Sequence, residues 1–206
     1  MFGSDRLPLA ERYAMLLAGA GTLRGLIGPR EVPRLWERHL VNCAVLAELV
    51  PANASVCDVG SGAGLPGVVL AIARPDVRVT LVEPLLRRTS FLEDVVADLD
   101  LSGCEVRRER AEALHGVEQY DVVTSRAVAP LAKLLGWSMP LVAPGGALVA
   151  MKGSRASAEV ADAADTLRRL GCAAPEVLEL GAGEPARLDP PTTVVRVVRH
   201  DEDVRG

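Results

Sequence analysis

Residues 57–67 read CDVGSGAGLPG, a loop with glycine at 60, 62, 64 and 67 that follows the strand-like run SVCDV. A loop this bare turns sharply and brings backbone N–H groups against a ligand, because glycine adopts positive φ without a steric penalty. Working outward, short strand-like runs alternate with helical ones: SVCDVG, then GLPGVVLAIARP, RVTLVE, LLRRTSFLEDVVADLDL, CEVRRER, YDVVTSRA and GALVAMKG. Apolar strands that alternate with helices predict an α/β domain whose parallel sheet is covered on both faces. Near the end, EVLELG and TTVVRVVR flank the Gly/Pro-rich AGEPARLDPP. No helix fits between those two strands, so they are expected to form a terminal antiparallel hairpin at the sheet edge. Residues 1–52 read as an N-terminal helical cap with breaks at Pro29, Pro33 and Pro51, and residues 53–206 as the α/β domain.

Two ligand classes fit the glycine spacing. Gly62-Ala63-Gly64-Leu65-Pro66-Gly67 matches the G-x-G-x-x-G fingerprint of dinucleotide binders. Asp58-x-Gly60-x-Gly62-x-Gly64 matches the loop of enzymes that use S-adenosylmethionine (AdoMet). Glu83 closes the second strand, roughly 20 residues beyond the loop, where a carboxylate accepts hydrogen bonds from a ribose diol. Both ligands carry that ribose, so Glu83 does not separate them. Asp58 does. It lies inside the first strand, and a buried carboxylate needs hydrogen bonds or a cation. AdoMet brings an ammonium and a sulfonium, whereas a pyrophosphate would repel the aspartate. Five parallel strands plus a terminal hairpin also match the class I AdoMet-dependent methyltransferase (Rossmann-like) layout. A small NAD-dependent oxidoreductase would need a substrate domain for which this chain has no room.

At 206 residues with 49% hydrophobic content, the chain is long enough for a core of its own and globular in composition. A net charge of −4 argues against a dedicated nucleic-acid coat, and six aromatic residues argue against stacking along an extended strand. Contact with nucleic acid is therefore expected to be local. The four cysteines lie far apart without a C-x-x-C pair, which suits free thiols in a reducing cytoplasm. The segment YAMLLAGAGTLRGLIG is too short and too interrupted to span a bilayer, and no metal-ligand cluster is visible. No membrane, no metal and a monomer are expected.

In RAEAL, Ala111 and Glu112 stand where a loop after the third strand could face an adenine, and Ser125-Arg126-Ala127 closes the fourth strand over the transfer site. His39, a lone histidine on a helix, is taken as structural. Together ERHLVNCAVL, DVGSGAGLPGVVLAIARPD, LVEPLLRRTSFL, RAEAL, DVVTSRAVAPL and GALVAMKG, in this order, resemble the glucose-inhibited division protein B family of ribosomal RNA small-subunit methyltransferase G enzymes. The resemblance runs from about Trp36 to Gly153, and more loosely to the end. It implies methylation of N7 of one guanine in 16S ribosomal RNA, within the RNA or the small ribosomal subunit. It also implies that Gly60, Leu65, Ala111, Glu112 and Arg126 lie at the cofactor.

Guanine N7 carries a lone pair and no proton, so no general base is expected. Arg126 and Lys152, at the ends of the fourth and fifth strands, are the catalytic candidates, holding RNA phosphate or the guanine O6 edge. Arg30, Arg34, Arg38, Arg87 and Arg88 could extend that surface. The non-enzymatic alternative is a ribosome-assembly RNA-binding module with a vestigial cofactor site, against which the intact glycine loop and Glu83 both argue.

Overall fold

The computed structural model describes residues 1–126, 129–184 and 187–200. Seven strands form one sheet: β1 (Ser55–Val59), β2 (Arg78–Val82), β3 (Cys104–Arg107), β4 (Tyr120–Arg126), β5 (Val142–Met151), β6 (Glu176–Leu180) and β7 (Thr192–Val198). Their order is β3-β2-β1-β4-β5-β7-β6. The first five are parallel, with Asp58 in register between Leu81 and Thr124. The expected antiparallel pair is present, and β7 lies between β5 and β6, antiparallel to both. β5 starts earlier than the Pro144-Gly145-Gly146 turn signal suggests. A register shift between Tyr120 and Val122 lets the chain pass these glycines within the strand, and a Cβ on Gly146 would lie 2.7 Å from the Asp121 carbonyl oxygen.

Side chains alternate across the sheet into two cores. Val56, Leu81, Val122 and Val149 belong to one, and Cys57, Val59, Val123, Leu148 and Val195 to the other. Helix α1 (Leu7–Leu16) buries Ala10, Tyr13 and Ala14, and Leu17 in the following π-helical turn continues that i, i+3, i+4, i+7 stripe. A three-residue helix, α2 (Asn42–Ala44), precedes β1, and α3 (Gly67–Ala73) follows the glycine loop. The latter is buried from Gly67 through Ile72, because the sheet lies on one side of it and the N-terminal helices on the other. Helix α4 (Leu86–Asp98) shows the amphipathic pattern, burying Thr89, Phe91, Leu92 and Val95. Residues 1–52 thus share the first core with α3 and α4. On the opposite face, α5 (Leu131–Ser138) buries Leu131, Leu134 and Leu135 beside α6 (Ala156–Asp162) and α7 (Ala164–Arg169).

Pro29 opens a 3-10 turn, Pro29–Arg34, that contains Pro33, and Pro51 follows the extended Val50. A π-helical segment, Leu35–Val41, then brings His39 and Leu40 inward. Among the described residues no helix is long and apolar enough to cross a membrane.

Candidate active site

The strand order reverses between β1 and β4, and a crevice at the carboxyl ends of parallel strands is where α/β sheets bind ligands. The glycine loop sits there. Gly60 and Gly62 have φ of 72° and 58°, values that side chains rarely adopt. The loop is moored to the end of β2: Gly60 N and Ser61 N donate to the Val82 carbonyl at 2.8 and 3.2 Å, and Gly62 N donates to Glu83 Oε2 at 3.1 Å. Tyr13 of α1 braces it from behind, its hydroxyl donating to the Ala63 carbonyl at 2.7 Å.

Two of the four glycines serve packing. A Cβ on Gly64 would meet Val68 Cγ2 at 2.5 Å and the Tyr13 hydroxyl at 2.8 Å; on Gly67 it would meet Leu81 Cδ2 at 2.3 Å and Asp58 Oδ2 at 2.7 Å. Gly62 differs, since the nearest atom to its added Cβ is the Gly60 carbonyl oxygen at 3.8 Å. Gly67→Ala is therefore expected to destabilise the fold by roughly 1–3 kcal/mol through overpacking, read as a lowered urea midpoint. An unchanged midpoint would show that Leu81 and Asp58 yield freely.

Asp58 is fully buried. Its Oδ2 accepts from Gly67 N at 2.9 Å, while its Oδ1 has no hydrogen-bond partner. Burial pushes its pKa up to about 7, against the opposing effect of the Gly67 and Ser61 hydrogen bonds. Glu83 is also buried, with Oε1 accepting from Leu85 N at 3.1 Å and Oε2 from Arg88 Nη1 at 3.2 Å.

Arg126 ends β4 and turns toward the N-terminal helices. Its Nη2 lies 2.7 Å from His39 Nδ1 and its Nη1 lies 3.7 Å from Cys43 Sγ. Ala111 is buried with Val59 and Val82 at the start of a 3-10 turn, Ala111–Leu114, and Glu112 beside it is exposed. Leu65 is buried in the first core, so its side chain serves packing.

Lys152 departs from the sequence expectation. Its side chain is 4% exposed, the ammonium donating to Glu159 Oε2 at 2.8 Å and to the Ala129 carbonyl at 2.7 Å, and Glu159 also accepts from Leu131 N. A phosphate-holding lysine needs a free, accessible ammonium. This one is committed to a partly buried ion pair that ties the segment after β4 to α6. Ala127 lies outside the described residues.

The family model for rRNA small subunit methyltransferase G matches residues 6–186. Ribosomal RNA small subunit methyltransferase G of a Nocardioides strain is 67% identical over 98% of this chain and 79% of its own length. The Thermobifida fusca protein of the same name is 58% identical over 96% of this chain and 81% of its own. This chain belongs to the rRNA small subunit methyltransferase G family. Solved structures agree on the fold: a SAM-dependent O-methyltransferase from Thermotoga maritima superposes with a TM-score of 0.62 at 16% identity, covering 82% of this chain and 70% of that one. A precorrin-6y C5,15-methyltransferase from Geobacter metallireducens gives 0.58 at 14% identity, over 84% and 90%. The fold is thus the class I methyltransferase fold, and membership in this methyltransferase family sets aside the oxidoreductase reading of the glycine loop.

The loop meets Glu83 through Gly62 N and Asp58 through Gly67 N. His39 was not assigned to the site, although ERH at 37–39 lies within the matched motifs, because its partner Arg126 is 87 positions away. Among the described residues no group of three His, Cys, Asp or Glu side chains could hold a metal ion.

Proposed function

We propose that this protein transfers the methyl group of AdoMet to N7 of one guanine in 16S ribosomal RNA, with the RNA or the small subunit as its partner. One observation supports the cofactor above the others: a fully buried carboxylate, Asp58, holds an oxygen without a partner beside the glycine loop. An unpartnered buried carboxylate is costly unless a cation arrives, and AdoMet brings an ammonium. Residues Asp58, Gly60, Gly62 and Gly64 would take the amino-acid end, Glu83 the ribose, and Ala111 and Glu112 the adenine edge. Leu65 would contribute through its backbone. When bound, AdoMet supplies an electrophilic methyl group on a sulfonium, which suits in-line displacement by an unprotonated ring nitrogen.

The chain's own residues then have modest tasks. Guanine N7 needs no deprotonation, so positioning carries the rate. A guanidinium at the end of β4 holds the nucleotide best through phosphate, because donating to O6 would draw electron density away from N7. Lys152 takes a positioning role, fixing the segment that follows Arg126 through Ala129 and Glu159.

Glu83→Ala is expected to weaken AdoMet binding roughly ten- to hundredfold with the fold retained, since hydrogen bonds to a charged acceptor contribute about 1.5–3 kcal/mol. Calorimetry showing unchanged affinity would return Glu83 to a loop-mooring role alone. Ribosomal RNA from cells lacking the protein should lose one 7-methylguanosine, restored on re-expression. An unchanged modification map would refute the acceptor assignment, whatever the AdoMet affinity.

A further inference from the structure

Arg126 is held by acceptors drawn from one short stretch before the sheet. Its Nη2 contacts His39 Nδ1 at 2.7 Å and the Arg38 carbonyl at 3.5 Å, and its Nη1 contacts Cys43 Sγ at 3.7 Å. A guanidinium offers only donors and keeps its proton. The close contact therefore requires a lone pair on His39 Nδ1. The ring proton must sit on Nε2, which donates to Glu31 Oε2 at 3.0 Å. Arg126 and Glu31 fix the tautomer from opposite sides.

The charged groups facing this imidazole are Arg126 from β4, Glu31 from the 3-10 turn and Arg38 from the same helical segment. Arg38 also reaches Glu31, at 3.4 Å. Burial first, and the charge of Arg126 second, hold the His39 pKa below its usual value, with Glu31 opposing. The ring is neutral at pH 7, as the contact with Arg126 demands.

We propose that His39, locked as the Nε2–H tautomer by Glu31, is a positioning residue for Arg126, so that residues 31–43 set where the guanidinium reaches over the transfer site. The proposal rests on the reading of Arg126 as the group that holds the RNA nucleotide. Protonating His39 removes the acceptor and places a like charge against the guanidinium, so acidification releases Arg126.

Nitrogen NMR shifts of His39 in the full chain test the geometry without any RNA. A neutral Nε2–H ring at pH 7, with His39 titrating higher in Arg126→Ala, supports the lock. A charged or Nδ1–H ring at pH 7 overturns it. Two variants then separate the ring nitrogens in single-turnover methylation. His39→Asn places a carbonyl oxygen near the Nδ1 position and should keep most of the rate. His39→Gln reproduces only the Nε2 side and should lose roughly tenfold or more at saturating AdoMet, because slight misplacement of a positioning group is costly. At saturating AdoMet, so that the titration of Asp58 does not enter, the wild-type rate should fall at acid pH, and this fall should be absent in His39→Asn. Equal losses in both variants, or an acid fall that persists in His39→Asn, would overturn the role. If the wild-type protein binds AdoMet but leaves guanine N7 unmethylated, the acceptor reading has failed and the NMR result alone decides the lock.

Discussion

At pH 8, Asp58→Asn is expected to raise the unfolding midpoint of the ligand-free protein while lowering its affinity for AdoMet by about a hundredfold or more. The two opposite signs come from one oxygen. In the ligand-free fold Oδ1 is buried without a partner, and burial lifts the carboxyl to about pH 7. Between the ordinary carboxylate pKa near ~4 and this raised value, the folded state binds a proton that the unfolded chain has released. Stability from this group is therefore intact below about pH 4, declines as pH rises toward 7, and stays reduced above it. Asparagine accepts from Gly67 N through its carbonyl and carries no charge, so the penalty disappears. It also offers nothing to an ammonium, and losing one partner of a buried charge pair costs about 2–5 kcal/mol. Wild-type AdoMet affinity should climb with pH up to about 7, with proton release visible by calorimetry in buffers of different ionisation enthalpy. Both effects should vanish in Asp58→Asn. A variant that binds AdoMet normally would remove Asp58 from the cofactor site.

Arg126→Ala is expected to slow single-turnover methylation by about a hundredfold at saturating AdoMet and RNA, because mispositioning alone costs that much. Arg126→Lys should recover only part of it, since an ammonium cannot reproduce the guanidinium's reach to His39 Nδ1, the Arg38 carbonyl and Cys43 Sγ together. Between pH 6.5 and 8.5 the wild-type rate should stay nearly flat, for N7 has no proton to lose and His39 already titrates lower. A rate that climbs tenfold per pH unit across this range would mean a proton leaves in the transfer step. The acceptor would then be an exocyclic amine or a ring N–H. Because RNA structure also responds to pH, substrate occupancy must be measured alongside.

Much of the site was legible in the chain because its parts are local. A glycine-rich turn after a strand, an acid inside that strand and another closing the next strand are each set by a few neighbouring residues and by the pleat. The alternation of strands and helices likewise determined the parallel sheet, and the absence of a helix between the last two strands determined their antiparallel pairing. Long, charged side chains were different, because their partners are chosen across the fold. Lys152 stood where a substrate-binding ammonium would stand, yet the approach of α6 gave it Glu159 and enclosed it. The packing need at Gly64 and Gly67 arose only when α1, α4 and β2 closed on them and left no room for a Cβ. His39 acquired its role only when the π-helical segment laid its ring between Glu31 and an arginine on β4. Backbone conformation is written within a few residues, whereas the partner of a buried donor or acceptor is decided by whichever distant element packs against it.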